Sequence, residues 1–231
     1  MGVQGIGIVT EKVQRKPRTD TKARLIEVAA RHFAADGYEA ASLREIQREA
    51  GVNSAAAHYH FGSKEALYRE VLEAYLDQIL EERVRLLMAI TPGLDREAHL
   101  AALVRAYVSP HLRTAATEHG APYARMLARV VVEPAASLVF AEVVGRVRRR
   151  YLAALETLLP EAEPNALARA LGFTVIVMAS APFDPTYRAV AGQDSIADGV
   201  ETLIEAVTAF CVAGFLALCG GNIPPATTGR P

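Results

Sequence analysis

Cysteine is nearly absent: Cys211 and Cys219 are the only two in 231 residues. They stand eight positions apart on one predicted helix. At about 1.5 Å of rise per residue that separates them by roughly 12 Å, too far for a disulfide. Buried, reduced thiols of a cytosolic protein are the expectation. Stretches alternating polar and β-branched residues are also missing, so periodicity must come from helices and the fold class is all-α. The first eighteen residues lack a long apolar core, their basic residues follow the apolar ones, and Ile6 breaks the myristoylation pattern, which argues against export or lipidation. The most apolar uncharged stretch, residues 206–219, is shorter than the roughly 18 residues needed to span a bilayer, and two glycines and two prolines follow it soon after. A cytoplasmic, membrane-free protein is expected.

Catalytic signatures are missing too. There is no Gly-x-Ser-x-Gly elbow, no His-Glu-x-x-His helix and no Walker A loop. Gly62-Ser63-Lys64 reverses the order a phosphate loop needs, and Gly5-x-Gly7 lacks both a strand and a third glycine. His58 and His60 cannot easily chelate, because residues two apart face different sides of a helix. No catalytic residue, metal site or cofactor is expected. A helical enzyme whose site lies in the second unit, beyond residue 64, is the rival class, separable by a turnover assay. Strong net charge is likewise lacking: a formal −1 by itself predicts no nucleic-acid partner. The balance hides an asymmetry, however, with +3 over residues 1–64 and −4 over the remainder. The front end is therefore the candidate for meeting phosphate.

What is present is a succession of helical patterns. Residues 1–18 read as a flexible basic arm, with Gly2, Gly5, Gly7 and Pro17 around Lys12, Arg15, Lys16 and Arg18. From Asp20, the apolar residues Leu25, Val28, Ala29, Phe33 and Ala34 recur at helical spacing until Gly37, which suits a C-terminal cap. Ser42 to Glu45 reads Ser-x-x-Glu, a capping box that opens a short helix ending at Gly51. A third short helix is predicted over 54–60, and after Gly62, Ser63 can cap a long fourth helix over 64–90. Further helices are predicted at 95–108, 110–118, 121–132, 135–159, 161–181 and 195–219, with breaks at Pro110, Gly120, Pro134, Pro160 and Pro182. The organisation is an arm (1–18), a three-helix domain (19–64), a larger helical domain (65–220) and a flexible tail (221–231), about nine to ten helices in all.

Two short helices joined by a glycine-containing turn behind a supporting helix have the form of a helix-turn-helix. The second is unusual: NSAAAHYHF sets small alanines beside His58, Tyr59 and His60, so its backbone can approach a duplex closely. Leu43, Ile46, Val52 and Tyr59 or Phe61 can hold the pair against Phe33 and Leu67. The run ARLIEVAARHFAADGYEAASLREIQREAGVNSAAAHYHFGSKEALYREVL resembles the DNA-binding domain of the TetR (tetracycline repressor) family at Phe33, Gly37, Tyr38, Ser42, Arg44, Ile46, Ala50, Gly51, Val52, Tyr59, His60, Phe61, Lys64, Leu67 and Tyr68. The resemblance implies a homodimer whose third helix enters the major groove of an operator and whose C-terminal domain binds a ligand. It also implies that Ser42, Tyr59, His60 and Lys64 contact phosphates or the groove wall. Base reading falls to Arg44, Asn53, Ser54 and His58, since Arg and Asn address guanine and adenine edges bidentately. Where family members often carry Lys or Arg and Tyr, this chain has Ser54 and His58. Residues Lys12 to Arg18 could add a minor-groove arm.

In the second unit the last helix has an apolar stripe too wide for one packing partner. With the preceding helix it could form a four-helix bundle across a two-fold axis. Leu167, Leu171, Val175, Met178, Leu203, Val207, Phe210 and Gly214 are the expected interface. Two reading heads about 34–36 Å apart would then read a pseudo-palindrome. Residues 123–173 resemble the C-terminal domain of fatty-acid-responsive members. That implies a fatty acid or acyl-coenzyme A as effector, with Tyr107, His111, Arg125, Arg129 and Glu133 as polar candidates in apolar faces. Arg146, Arg148, Arg149 and Arg150 read as a solvated face or a patch for an acidic ligand.

Overall fold

A computed structural model describes residues 18–52, 61–130, 133–184 and 199–220. In chain order they form α1 (Arg18–Ala40), α2 (Leu43–Glu49), α3 (Lys64–Met88), α4 (Arg96–Ala115), α5 (Ala121–Val130), α6 (Pro134–Leu158), α7 (Pro164–Ser180), a 3-10 turn (Ala181–Phe183) and α8 (Val200–Cys219). No strand occurs among the described residues. The third short helix expected at 54–60, the basic arm up to residue 17 and the tail from 221 lie outside them.

The caps fall where the sequence puts them. Ser42 Oγ accepts from the Glu45 amide and Ser63 Oγ from the Ala66 amide, satisfying one orphan N–H at the start of α2 and of α3. Gly37 does not end α1. It interrupts the helix at φ 82° and ψ 172°, a conformation open to glycine and costly for other residues, and one more turn follows. Pro110 was expected to separate two helices; instead α4 runs straight through it. Its ring removes one backbone hydrogen bond, a loss of the order of 3 kcal/mol. Val108 and Leu112 on either side are completely buried, and α3, α5, α6, α7 and α8 all pack on α4, so tertiary contact overrides the local break. The start of α7 moves from residue 161 to Pro164, a favourable first helical residue whose missing N–H is no loss there.

Two apolar clusters make the core, and α3 threads both. The first joins Leu25 and Phe33 of α1, Ile46 of α2, Leu67 and Leu72 of α3, Tyr123 and Leu127 of α5 and Val144 of α6. The boundary expected at residue 64 therefore crosses a shared core. The second gathers Leu100 and Val108 of α4, Tyr151 of α6, Leu171 of α7 and Ile204 and Phe215 of α8. Leu80 touches both clusters, which makes α3 a rod between the front end and the helical body.

Two segments, Pro164–Phe183 and Val200–Cys219, are long and apolar enough to cross a bilayer, contrary to the expectation from residues 206–219. The described last helix begins at Val200, ahead of that uncharged stretch, and includes Glu201 and Glu205. These helices pack on each other and on α4, and Glu201 pairs with Arg105 and Arg113. Cys211 and Cys219 are free and buried; desolvation pushes both thiols above their ordinary range.

Candidate nucleic-acid interface and its links to the helical body

The front end is held rigid from two sides. Glu49, at the end of α2, accepts from Arg31 Nη2 and pairs with His32 Nε2, each at 2.8 Å, which fixes α2 across α1. These hydrogen bonds, Arg31 first and His32 second, hold the Glu49 carboxyl below the usual carboxylate range. After α2 the chain turns at Gly51 (φ 63°) and re-enters α3 through Gly62 (φ 67°), so left-handed glycines bracket residues 53–60. Ile46 and Phe33 are fully buried and Val52 and Phe61 nearly so, as the inward pattern requires.

Of the expected DNA-contacting residues, Asn53, Ser54, His58, Tyr59 and His60 lie outside the described residues. Ser42 is half-buried with its hydroxyl spent on capping α2. Arg44 is exposed, with no hydrogen-bond or ion-pair partner among the described residues. Arg48, one helical turn further along, is exposed in the same way and was missed; the i, i+4 spacing from Arg44 would have found it. Lys64 is not a free cation. Its Nζ donates to the Glu39 carbonyl at 2.8 Å and to the Ala41 carbonyl at 3.4 Å and sits 5.0 Å from the Tyr38 ring centroid. It stitches the α1–α2 turn to the start of α3.

The five expected effector contacts do not converge. Arg129 and Glu133, at the end of α5 and just beyond it, serve the break at Gly37 instead. In an unbroken helix the Tyr38 amide would donate to the Ala34 carbonyl. Here Arg129 Nε donates to the Ala34 carbonyl at 2.9 Å and Nη2 to the Ala35 carbonyl, while the Tyr38 amide donates to Glu133 Oε2 at 2.7 Å. Groups orphaned by the break are thus satisfied by side chains of the helical body. A Cβ on Gly37 would lie 2.3 Å from Glu133 Oε1, so any larger residue would push that carboxylate aside. Arg125 is exposed and lies 5.5 Å from the Phe183 ring centroid.

Tyr107 and His111 are buried in the body on adjacent turns of α4. His111 Nδ1 is 3.1 Å from the Tyr75 hydroxyl, and Tyr107 stacks edge-on against Tyr151 at 4.7 Å. Burial, with the nearby charge of Arg83 second, pushes the His111 pKa down to about 3. Sequence reasoning missed Arg83, one of ten charged residues in α3 and buried rather than exposed. A groove of about 930 Å³ runs between α3 and α6 past Leu80, Val84, Val147 and Arg150 and the acids Glu73, Asp77, Glu81 and Glu142, and none of the five expected contacts lines it. In the arginine run, Arg149 and Arg150 are exposed and Arg148 donates weakly to the Ala168 carbonyl.

The expected interface residues divide. Leu167, Leu171, Met178, Leu203 and Val207 are at most 4% exposed within the single chain, so they belong to its own core, and Val175 packs on that core as well. The stripe was too wide because α7 and α8 each turn one side inward. Phe210 (66% exposed) and Gly214 face outward, joined by Phe173 (51%) and Ile176 (46%) around an apolar groove of about 320 Å³.

Residues 25–71 match the family model described as bacterial regulatory proteins, tetR family, and residues 105–214 match the tetracyclin repressor-like C-terminal domain. Together they span more than half of the chain. Among curated proteins, it is 33% identical over 87 residues to the HTH-type transcriptional repressor KstR2 of Rhodococcus jostii, covering 38% of this chain. It is 34% identical over 93 residues to the HTH-type transcriptional activator FasR of Mycolicibacterium smegmatis, covering 40% of this chain. The match spans 41% of the length of each. A solved TetR-like transcriptional regulator from Rhodococcus sp. RHA1 shares the fold with a TM-score of 0.56 at 18% identity, over 87% of this chain and all of that one.

Proposed function

The chain belongs to the TetR family of bacterial regulatory proteins, and from that membership we propose that it is a DNA-binding transcriptional repressor, a homodimer that holds a pseudo-palindromic operator and lets go on binding a small apolar or acyl effector. The observation that carries the reading is the front end itself. An α2 capped by Ser42 and locked to α1 through Glu49, followed by the glycine turn at Gly51, coincides with the helix-turn-helix match over residues 25–71. Arg44 and Arg48 supply exposed cations on one face of α2, where phosphate or base contacts set register and sequence. Asn53, Ser54, His58, Tyr59 and His60 complete the contact set, and Ser42 and Lys64 hold the turns that present it.

Phe173, Ile176, Phe210 and Gly214 support the dimer as its contact face. Release needs an effector that prefers one of two conformations. The Arg129–Glu133 latch on Gly37 and the α3 rod are the two routes by which a change in the body reaches the reading head. Activation is a second reading, favoured by the similarity to FasR; it keeps the operator and reverses the effect on transcription. Selection from random duplex DNA tests both. An enriched pair of inverted half-sites about one helical turn apart is expected, and recovery of no shared sequence would overturn the proposal.

A further inference from the structure

The helical body buries a full positive charge with no carboxylate against it among the described residues. Arg83 of α3 is 3% exposed. Its Nε donates to the Tyr107 carbonyl at 2.7 Å, Nη2 approaches Met178 Sδ at 3.2 Å, and the guanidinium lies 4.0 Å from the Tyr107 ring centroid. None of these partners is an anion. Of the acids near it on the surface, Glu82 pairs with Arg85 and Glu201 with Arg105 and Arg113, while Asp77 and Glu81 face the groove beside α6 rather than the guanidinium. A buried guanidinium normally has a negatively charged partner, because desolvating it alone is costly.

A second group beside it is also incomplete. His111, one turn along α4 from Tyr107, is completely buried, and its Nε2 has no hydrogen-bond partner among the described residues. A Tyr75 hydroxyl donating to Nδ1 leaves the ring proton on Nε2, a buried N–H with no acceptor. A charged donor on the Tyr107 carbonyl and a neutral one a turn along α4 thus lie near each other, and no anion among the described residues serves either. The walls are apolar or aromatic: Tyr75, Tyr107, Tyr151 and Met178. Leu80 and Val84, on the same stretch of α3 as Arg83, line the large groove against α6.

We infer that the body binds an organic acid, its carboxylate held by the Arg83 guanidinium and the His111 Nε2–H and its apolar part lying among α3, α4 and α6. That this acid acts as the effector rests on the regulatory reading; that it binds does not. Both groups are closed off from solvent, so entry requires α3 and α6 to part. The same movement would shift the rod that carries the reading head.

Calorimetric titration of the full chain, without DNA, with decanoate, 1-decanol and decylamine tests the site. Decanoate is expected to bind at least ten-fold more tightly than either analogue, and Arg83→Met to weaken decanoate at least ten-fold while leaving 1-decanol unchanged. Arg83→Lys, which keeps the charge, is expected to retain the preference for decanoate. If Arg83→Met fails to fold, the head-group series on the unaltered protein and Arg83→Lys decides. No binding of decanoate, equal binding of 1-decanol, or full decanoate affinity in folded Arg83→Met would overturn the inference. A chain that binds decanoate but selects no operator would refute the regulatory reading and leave this site standing.

Discussion

Replacing Gly37 by alanine is expected to destabilise the chain by roughly 3 kcal/mol. Two effects act together. The backbone at φ 82° and ψ 172° lies where only glycine is at ease, a strain of about 1–3 kcal/mol for a residue with a Cβ. The new methyl would also lie 2.3 Å from Glu133 Oε1, so the carboxylate must swing away and give up the Tyr38 amide 2.7 Å from Oε2. A hydrogen bond to a charged group contributes about 1.5–3 kcal/mol. For a chain of this length each kcal/mol lowers Tm by roughly 2–4 °C, so a fall of roughly 6–12 °C is expected in thermal unfolding followed by circular dichroism. Glu133→Ala in the same background removes the clash but not the strain, so the double variant should lose less than the two single losses combined. A Gly37→Ala protein melting within a degree of the parent would refute the latch.

Two other perturbations follow from the same coordinates. His111 is buried neutral, its pKa pushed down to about 3, whereas an exposed histidine takes up its proton near 6.5. The unfolded chain therefore binds the extra proton first, and stability should fall as pH drops from about 6.5 towards 3, by up to about 1.4 kcal/mol per unit. Denaturant unfolding of His111→Leu should show a shallower decline over that window; an unchanged slope would contradict the assignment. Phe210→Glu places a charge on an apolar face while touching none of the monomer core, so sedimentation should show monomers with unaltered helicity. A Phe210→Glu dimer as tight as the parent would remove this face as the interface.

Local features were the most legible. The serine caps, the turn at Gly51 and the inward residues Phe33, Ile46, Val52, Phe61 and Leu67 are fixed by short-range chemistry and periodicity, and the structure places them as read, whereas Gly37 breaks α1 instead of ending it. Long-range partners were not legible. Arg129 and Glu133 looked like polar groups in an apolar face, but their i, i+4 spacing mattered because a break 95 residues away exposed two carbonyls and an amide. The interface residues show the same limit: periodicity identifies an apolar stripe, not which edge the rest of the chain covers. Leu167 and Leu203 went inward and Phe210 outward, and only the packing of α4 against α8 decides that. Pro110 was read by its local cost, which burial on both sides outweighs.

The central claim, sequence-specific binding of duplex DNA through the capped front end, is tested most directly by fluorescence anisotropy. Titrations of the unaltered chain and of Arg44→Ala would compare the selected operator with a scrambled duplex of the same length across a range of salt. The parent is expected to prefer the operator by roughly 10³-fold or more, with affinity falling steeply as salt rises. Arg44→Ala, losing an exposed cation that has no partner among the described residues, should reduce that preference about ten-fold or more. Equal affinity of the parent for both duplexes would contradict the account.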